Sequence, residues 1–472
     1  MRALSVFYNG KIIGTALHRA GNMSSTKYVQ FCACLTSSLL IISMEFYMKD
    51  QTKTYQTTPM PLPLVIPSPV KEPNKTLCPK GRPKPIIDDV LCMSHFDFST
   101  LHKNPCWKSV NGKFKCLPYF QVIGMDKCGT TDLFARISRH PDVVGNKKDK
   151  ETMWWSWERY GFWLWSRNAK KTYLSDYINY FKNTAEILNN ATQEGGQTQL
   201  ITGDGTPMDM WDFRGWKMIP QNKGLKEPRY LTPHLIKHIN PVVKLIVILR
   251  NPVDRLYSDY YFIDNGERFK NSTTFHNAVI RAINVLQICL KHSSLRSCLF
   301  DYKVNENLLR RKTRIHLGFY ATYLQEWLSV FPRDQILILR TEDYAANVTS
   351  VMRKVFKFLA LRDLTDDELE KFNVTISQRV YVTKDKLGKK TMMPETRRIL
   401  ESLYSSDTED LYQLLKDESF LWESNSGVTE TVKENYTQLS HFNTMPPRGV
   451  NLDELQVVHV TNNLQRLRSG LS

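Results

Sequence analysis

A strand, a glycine-containing turn and a helix follow one another between residues 119 and 139 of the 472-residue chain. The apolar run 120–123 is typical of a short strand, and residues 132–139 place their apolar side chains on one helical face. In such a unit the backbone N–H groups and the dipole at the start of the helix attract an anion. Lys127 adds a positive charge to the turn. The segment therefore predicts a site for a phosphate-like group, with an ordinary strand-to-helix turn as the alternative.

The order of residues in this turn distinguishes it from the phosphate loop of ATPases. In the ATPase pattern GxxxxGK[ST] the lysine follows the second glycine, whereas here Lys127 precedes Gly129. The order Lys-x-Gly-Thr-Thr at the start of a helix resembles the 5′-phosphosulfate loop of sulfotransferases, which use 3′-phosphoadenosine 5′-phosphosulfate (PAPS). Those loops commonly carry a proline before the lysine, where this chain has Asp126. The resemblance implies that PAPS is bound by the loop residues Lys127, Cys128, Gly129, Thr130 and Thr131.

A second strand and helix carry two further residues of the same resemblance. Residues 242–250 are almost entirely apolar, as expected for a strand that is buried on both faces of a parallel sheet. The residues that follow, NPVDRLYSDYYF, have a proline suited to the first turn of a helix and then an apolar stripe. Arg250 and Ser258 resemble the sulfotransferase pair that holds the 3′-phosphate of PAPS, and a guanidinium suits a phosphate dianion. Taken alone, this segment could instead be a helix start with solvated charges.

The longest stretch of similarity lies further along the chain. Residues 314–359, RIHLGFYATYLQEWLSVFPRDQILILRTEDYAANVTSVMRKVFKFL, resemble the Golgi carbohydrate sulfotransferases, and the similarity covers about residues 105–425. It implies one PAPS-binding domain of P-loop-like α/β fold, with a central parallel sheet and helices on both faces. The predicted strands at 120–123, 242–249 and 335–339, which helical patterns separate, independently favour this fold class.

Within that group the chain most resembles the N-acetylgalactosamine 4-sulfate 6-O-sulfotransferases. This implies transfer of sulfate from PAPS to a glycosaminoglycan hydroxyl, namely the 6-hydroxyl of 4-sulfated N-acetylgalactosamine in chondroitin or dermatan sulfate. A sulfotransferase for another glycan and a catalytically silent glycan-binding relative are the alternatives. A P-loop kinase or NTPase is disfavoured, because the loop lysine is in the wrong order. The formal charge of +17 agrees with an anionic partner.

A carboxylate is the natural base for a sugar hydroxyl, which is a poor nucleophile at neutral pH. Related glycosaminoglycan sulfotransferases carry that glutamate in a Lys-Glu-x-x-x-Phe segment soon after the phosphosulfate loop, where this chain has Lys150 and Glu151 in KETMWWSW. We predict that Glu151 is the general base, with a surface glutamate in the run KKDKE as the alternative. Lys127 would neutralise the bridging oxygen as its bond to sulfur breaks, and the family implies that Ser258 couples 3′-phosphate binding to this lysine. No metal is predicted, because no H-E-x-x-H pattern or C-x-x-C pair occurs.

Two further segments bear on the nucleotide. Related heparan-type enzymes often have a lysine in the strand-end segment GDGTPMDMW, where this chain has Gly205. The missing positive charge could come from Lys150 or from the basic loop 384–390, KDKLGKK. A solvated run of charges is the alternative interpretation of that loop. Because relatives close a loop over the nucleotide at this place, the further candidates for PAPS binding are Lys386, Gly388, Lys389 and Lys390.

The acceptor leaves weaker signals. Five tryptophans lie close to Glu151 and could stack on sugar rings, although tryptophans at this density more often fill a core. Basic clusters at 147–150 and 310–312 could hold a polyanion, and solvated faces explain them equally well. The five tryptophans are Trp154, Trp155, Trp157, Trp163 and Trp165.

The N-terminal part of the chain predicts a membrane anchor. Residues 28–48 are mostly apolar and long enough to cross a bilayer, and the positive residues before them favour a cytosolic N-terminus. A cleaved signal peptide and a buried core helix are the alternatives. The expected protein is a single-pass type II Golgi membrane protein with its catalytic domain in the lumen. Its predicted parts are a cytosolic tail (1–27), the anchor (28–48), a proline-rich stem (49–118), the sulfotransferase domain (119–425) and a C-terminal tail (426–472).

The cysteines and glycosylation sequons fit a lumenal domain. Four cysteines ahead of the first strong strand, Cys78, Cys92, Cys106 and Cys116, predict two disulfides whose connectivity stays open. Cys289 and Cys298 predict a third disulfide, which leaves Cys128 unpaired. Sequons of the form N-x-S/T support lumenal placement at Asn74, Asn190, Asn271, Asn347, Asn373 and Asn435.

Overall fold

The computed structural model describes residues 7–8, 11–12, 78 and 87–422, apart from 149, 163–169, 264–270, 366 and 369–390. The predicted anchor at 28–48, the 384–390 loop and the tail 426–472 lie outside these residues. Within the described residues, no helix has the length and apolar character needed to cross a membrane. Two compact units are distinguished, 1–65 and 66–472. In the first unit, strands β1 (Phe7–Tyr8) and β2 (Lys11–Ile12) pair in antiparallel fashion.

The second unit begins its regular structure with a hairpin that a disulfide closes. Strands β3 (Cys106–Lys108) and β4 (Phe114–Cys116) are antiparallel, and Cys106 is bonded to Cys116 directly across the pair. Two further disulfides, Cys78–Cys92 and Cys289–Cys298, confirm the predicted disulfide bonding and resolve the connectivity that the sequence left open.

Residues 87–117, which the sequence analysis assigned to the stem, contribute to the packed core. Val90, Leu91 and Leu117 are buried there, together with Trp107. The proline-rich composition predicted an extended spacer up to residue 118. Burial of these apolar side chains lowers the free energy of the folded state, and an extended spacer would leave them exposed to water. The compact part of this unit therefore starts before residue 119.

A four-stranded parallel sheet lies at the centre of the second unit. Its strands are β5 (Phe120–Gly124), β6 (Gly203–Asp204), β7 (Lys244–Leu249) and β8 (Ile336–Arg340), in the spatial order β6-β5-β7-β8. Phe120 is opposite Gly203 on one side and Lys244 on the other, and Leu245 is opposite Ile336. Every residue of β5, and every residue of β7 after Lys244, is buried. The predicted α/β class with a central parallel sheet is confirmed.

Helices alternate with these strands, so that all four strands end at one edge of the sheet. The α-helices are α1 (Thr130–Ile137), α2 (Leu174–Asn179), α3 (Lys182–Gly195), α4 (Thr232–Ile239), α5 (Pro252–Phe262), α6 (Ser272–Leu290), α7 (Leu295–Phe300), α8 (Tyr302–Arg310), α9 (Tyr320–Leu328), α10 (Thr341–Ala346), α11 (Val348–Phe358) and α12 (Pro394–Leu415). Short 3-10 helices occupy Val90–Cys92, Glu158–Tyr160, Pro207–Met210, Arg214–Met218, Pro220–Asn222, Ile315–Gly318, Arg333–Gln335 and Glu418–Leu421.

Two helix starts matter for the site, because each follows a central strand. Gly129 precedes α1 with φ of +97°, a left-handed conformation that suits glycine. Asn251 caps α5, where its side chain accepts hydrogen bonds from the N–H groups of Val253 and Asp254, and Pro252 fills the first helical position. The helices that follow β5 and β7 thus begin at the same edge of the sheet.

Candidate functional site

The loop between β5 and α1 folds back against the neighbouring strand. Met125 donates its N–H to the carbonyl of Ile248 at 3.0 Å, and Cys128 donates its N–H to the carbonyl of Met125 at 3.2 Å. The Thr341 hydroxyl lies 2.7 Å from the carbonyl oxygen of Cys128 and 2.9 Å from that of Leu249, and donates to one at a time. The ends of β5, β7 and β8 are thereby joined at the loop.

Cys128 itself is fully buried, and its burial raises the pKa of the thiol to about 12. Its side chain therefore contacts the interior, near the Tyr320 hydroxyl at 4.0 Å, rather than a ligand. The first N–H groups of α1 follow directly, at Thr130 and Thr131. Groups at that place have no carbonyl of the same helix to bond, which makes them available to an anion.

Lys150 connects this helix start to Glu151. The Lys150 Nζ donates to the Thr131 hydroxyl at 3.1 Å and forms a close ion pair with Glu151 Oε1. The Glu151 side chain is 25% exposed, so its carboxylate is accessible to a molecule bound at the loop. A positive group, a hydroxyl and a carboxylate therefore meet beside the start of α1.

Gly205 provides the space that Lys150 occupies. A Cβ at residue 205 would lie 2.9 Å from Lys150 Cγ and 2.7 Å from Phe134 Cδ2, well inside van der Waals contact. The Gly205 N–H also donates to the Lys150 carbonyl at 2.9 Å. The sequence analysis named Lys150 and the 384–390 loop as possible sources of the positive charge that is missing at residue 205. Lys150 lies next to Gly205, and the 384–390 loop lies outside the described residues.

Arg250 and Ser258 lie on the adjoining strand and helix. Arg250 follows β7 directly, and its carbonyl accepts a hydrogen bond of 2.9 Å from the Tyr320 hydroxyl. Ser258 lies in the second turn of α5 and is 8% exposed. Since β7 is the parallel neighbour of β5, Arg250 is at the same sheet edge as the 125–129 loop.

Lys127 extends from the loop to the end of α5. Its Nζ lies 3.6 Å from the centroid of the Phe262 ring, a cation–π distance. Phe262 is four residues after Ser258, and residues with this spacing lie on one face of a helix. The Lys127 ammonium is therefore held beside the helix that carries Ser258. Its backbone has φ of +65°, which a lysine adopts only when its surroundings hold it there.

A chain of buried charges runs beneath the two segments. The Asp126 carboxylate accepts a hydrogen bond of 2.6 Å from Trp211 Nε1 and one of 3.3 Å from Arg314. Arg314 also donates to both oxygens of Asp259, at 2.9 and 2.5 Å, and Arg255 donates to Asp259 at 3.2 Å. Burial acts to raise the pKa of Asp259, but Arg314 and Arg255 outweigh it and hold the pKa below its usual value. Asp259 is therefore ionised in the folded protein.

A second group of buried acids anchors the segment that follows Glu151. Asp204, at the end of β6, accepts hydrogen bonds from the Thr152 hydroxyl at 2.6 Å and the Thr206 hydroxyl at 2.7 Å. Burial raises the pKa of Asp204, and burial together with the nearby Asp204 charge raises the pKa of Asp209 well above its usual range. These contacts fix the backbone at residue 152 to the sheet, one residue beyond Glu151. Among the described residues, no group of three or more His, Cys, Asp or Glu side chains is arranged to hold a metal ion.

The tryptophans near Glu151 and the 384–390 loop were also candidates from the sequence. Trp154, Trp155 and Trp157 are at most 3% exposed, so they fill the core and cannot present a ring face to a sugar. Residues 163, 165, 386 and 388–390 lie outside the described residues.

Several site residues were missed by sequence reasoning. Thr341 follows β8 as Arg250 follows β7, so its place at the strand end was a usable signal. Trp211, Asp259 and Arg314 have no such signal, because the contacts that define them join segments that are distant along the chain.

Comparison with known proteins agrees with this geometry. A model of the sulfotransferase domain family matches residues 118–411, and the chain therefore belongs to the sulfotransferase family. Carbohydrate sulfotransferase 15 of Mus musculus is 35% identical over 320 residues, 66% of this chain and 56% of the relative, and the Homo sapiens protein has the same values. The bifunctional heparan sulfate N-deacetylase/N-sulfotransferase of Drosophila melanogaster is 28% identical over 56% of this chain and 22% of its own length. The alignments thus span little more than half of the carbohydrate sulfotransferases.

Proposed function

We propose that this protein transfers sulfate from PAPS to a hydroxyl of a glycosaminoglycan. The observation that carries the proposal is the meeting of Lys150, Thr131 and Glu151 at the start of α1, beside the loop that holds Lys127. This places a base candidate next to an anion site, and membership of the sulfotransferase family supports the reaction class.

PAPS would lie along the edge where β5 and β7 end. The N–H groups at the start of α1, with Lys127 and Thr131, would bind the 5′-phosphosulfate. Arg250 and Ser258 would bind the 3′-phosphate, with the planar guanidinium suited to two phosphate oxygens. Residues 386 and 388–390 stay a prediction for closure over the nucleotide.

The reaction then consists of three linked events. The acceptor hydroxyl attacks sulfur, its proton passes to Glu151, and the bond between sulfur and the bridging oxygen breaks with its electron pair on the departing bisphosphate. Lys127 and Lys150 would stabilise the negative charge that develops on the transferring group and the leaving oxygen, as in phosphoryl transfer.

The acceptor is proposed as chondroitin or dermatan sulfate, at the 6-hydroxyl of 4-sulfated N-acetylgalactosamine. Support comes from the sequence resemblance and from the 35% identity to carbohydrate sulfotransferase 15. The same resemblance supports a single-pass Golgi membrane protein, anchored through 28–48 with its 119–425 domain in the lumen. The three disulfides are those of an oxidising compartment.

The test is transfer of radiolabelled sulfate from PAPS to a panel of desulfated and sulfated chondroitins. We expect Glu151→Gln to lower the rate by about 10²–10⁴-fold, the usual contribution of a general base, while binding of the desulfated nucleotide is unchanged. Glu158→Gln is the matched control, because Glu158 is a nearby, partly buried glutamate that pairs with Lys148 instead. Equal rates for the wild type and Glu151→Gln would refute the role of Glu151. Nucleotide binding without transfer to any glycan would favour the catalytically silent alternative.

A further inference from the structure

The buried charge chain joins the two places at which the nucleotide would be held. Asp126 directly precedes Lys127 in the loop, and Asp259 directly follows Ser258 in α5. Arg314 lies between them and donates to both carboxylates. Three side chains therefore span from the sulfate end of the proposed site to its 3′-phosphate end.

We propose that Asp126 is a positioning residue, which sets the spacing between the Lys127 loop and α5 through Arg314 and Asp259. The inference rests on the proposed function, since it assigns the two ends to one bound nucleotide. It concerns the residue at which this chain departs from the common loop pattern, because a carboxylate stands where a proline is usual.

The geometry of the chain favours a rigid link. Arg314 contacts Asp259 through two nitrogens, and a planar guanidinium bound in this way has little freedom to rotate. Its side chain and that of Asp126 are 8% and 13% exposed, so salt and water screen this pair little. Arg255 adds a second donor to Asp259 and also donates to the Arg314 carbonyl at 2.9 Å. Movement of one end is therefore resisted by the other.

The Asp126 contacts also account for the backbone of the next residue. Lys127 has φ of +65°, which its surroundings must impose. Trp211 and Arg314 hold Asp126 from two directions immediately before that residue. Loss of the carboxylate would let the loop relax while leaving the Arg314–Asp259 pair in place.

A site with fixed spacing has a measurable signature. A ligand that reaches both ends binds more tightly than its two halves, by a factor that depends on how well the two ends are held in register. Adenosine 3′,5′-bisphosphate reaches both ends, whereas adenosine 3′-phosphate and adenosine 5′-phosphate each reach one. The product of the two half-ligand dissociation constants, divided by that of the bisphosphate, is called here the effective concentration of one end relative to the other. Because all three ligands share the adenosine, the change of this quantity between variants, and not its absolute value, reports how well the two ends are held in register.

The experiment measures these three dissociation constants by calorimetry on purified full-length protein. For Asp126→Asn we expect an effective concentration about tenfold lower than in the wild type, with the two half-ligand constants unchanged. Arg314→Lys should act in the same direction, because an ammonium cannot bind Asp126 and Asp259 in two planar arms. It keeps the inference testable if Asp126→Asn is poorly folded.

Glu326→Gln is the matched control. The Glu326 carboxylate also binds an arginine through two nitrogens, at 2.5 and 3.1 Å from Arg296, and is 12% exposed. It lies in α9, outside both nucleotide segments, so its loss should leave the effective concentration unchanged. Equal weakening of all three ligands by Asp126→Asn, or an unchanged effective concentration, would overturn the inference alone. A wild-type protein that binds no bisphosphate would instead overturn the proposed function.

Discussion

Residue 205 is a glycine, and the absence of a side chain there allows Lys150 to adopt its observed position. The lysine stem crosses the space that a Cβ would fill, and its ammonium reaches Thr131 and Glu151 beyond it. The sequence resemblance implies that related heparan-type enzymes often carry a lysine on the strand end itself. Here the positive charge reaches the same neighbourhood from the segment that carries the proposed base.

Gly205→Ala should therefore impair transfer by moving Lys150. The new Cβ would lie 2.9 Å from Lys150 Cγ and 2.7 Å from the Phe134 ring, and the flexible lysine stem is the part that can yield. We expect kcat to fall by roughly tenfold, which corresponds to about 1.4 kcal/mol of lost transition-state stabilisation. Steady-state kinetics with PAPS and chondroitin sulfate measure the change.

The control for this substitution is Gly145→Ala. A Cβ at residue 145 meets no atom within 4 Å, so the same change in chain entropy occurs there without crowding. Lys150→Met should match the loss seen for Gly205→Ala, and the double variant should lose little more. Full additivity of the two losses would show that residue 205 acts through something other than Lys150.

At the level of residues, sequence reasoning can propose candidates where a site is local. Lys127, Thr131 and Glu151 come from motifs within short segments, and the structure places Lys150 between Thr131 and Glu151. It failed for Arg314, whose partners Asp126 and Asp259 lie 188 and 55 residues away along the chain. No periodicity or spacing encodes a contact of that kind.

At the level of elements, Asp407 joins α12 to the start of α9. Its carboxylate accepts hydrogen bonds from the N–H groups of Ala321 at 3.0 Å and Thr322 at 3.2 Å, two of the unpaired donors at that helix start. Burial raises its pKa to about 7, although these hydrogen bonds act in the opposite direction. The stability of the contact between these helices therefore depends on whether Asp407 is protonated.

This contact should make folding stability depend on pH. An aspartate in the unfolded chain has a pKa near 4, so between about pH 4 and pH 7 the folded state binds a proton that the unfolded state lacks. Stability from this group is therefore greatest at low pH and is lost as pH rises through about 7. Asp407→Asn imitates the protonated form at every pH. Relative to wild type, the variant should gain stability as pH rises from about 5 to about 8.

Chemical denaturation of both proteins at several pH values measures this difference. Glu395→Gln is a suitable comparison, because Glu395 is in the first turn of the same helix and is exposed to solvent. A difference between wild type and Asp407→Asn that stays constant from about pH 5 to pH 8 would contradict the prediction.

The strands show how far the fold could be predicted. Strands β5, β7 and β8 were found as apolar runs. For β5 and β7 the reason is that a strand buried on both faces needs such residues along its length, whereas β8 lies at the edge of the sheet and is only partly buried. Strand β6 consists of two residues, Gly203 and Asp204, and has no apolar run to detect. The core contribution of residues 87–117 was missed for a similar reason, since their apolar side chains are dispersed among polar residues and directly follow a proline-rich segment.

At the level of the whole molecule, the formal charge of +17 bears on how a sulfated chain would be bound. A polyanion that binds a basic protein releases counterions, so its affinity falls as salt is added, more steeply when more anionic groups are engaged. If sulfated chondroitin is the acceptor, its KM should rise several-fold between about 50 and 300 mM NaCl. The charge contributes to association as a whole, beyond the few residues at the sulfur atom.

Acceptors of equal length that carry zero, one or two sulfates per disaccharide provide the control, because they differ in charge while sharing a backbone. The slope of log KM against log salt should become steeper with each added sulfate, whereas kcat should change little, since the reacting groups lie at the partly buried edge of the sheet. A slope that is the same for all three acceptors would mean that the sulfates do not contact the basic surface. The +17 charge would then serve another anionic partner.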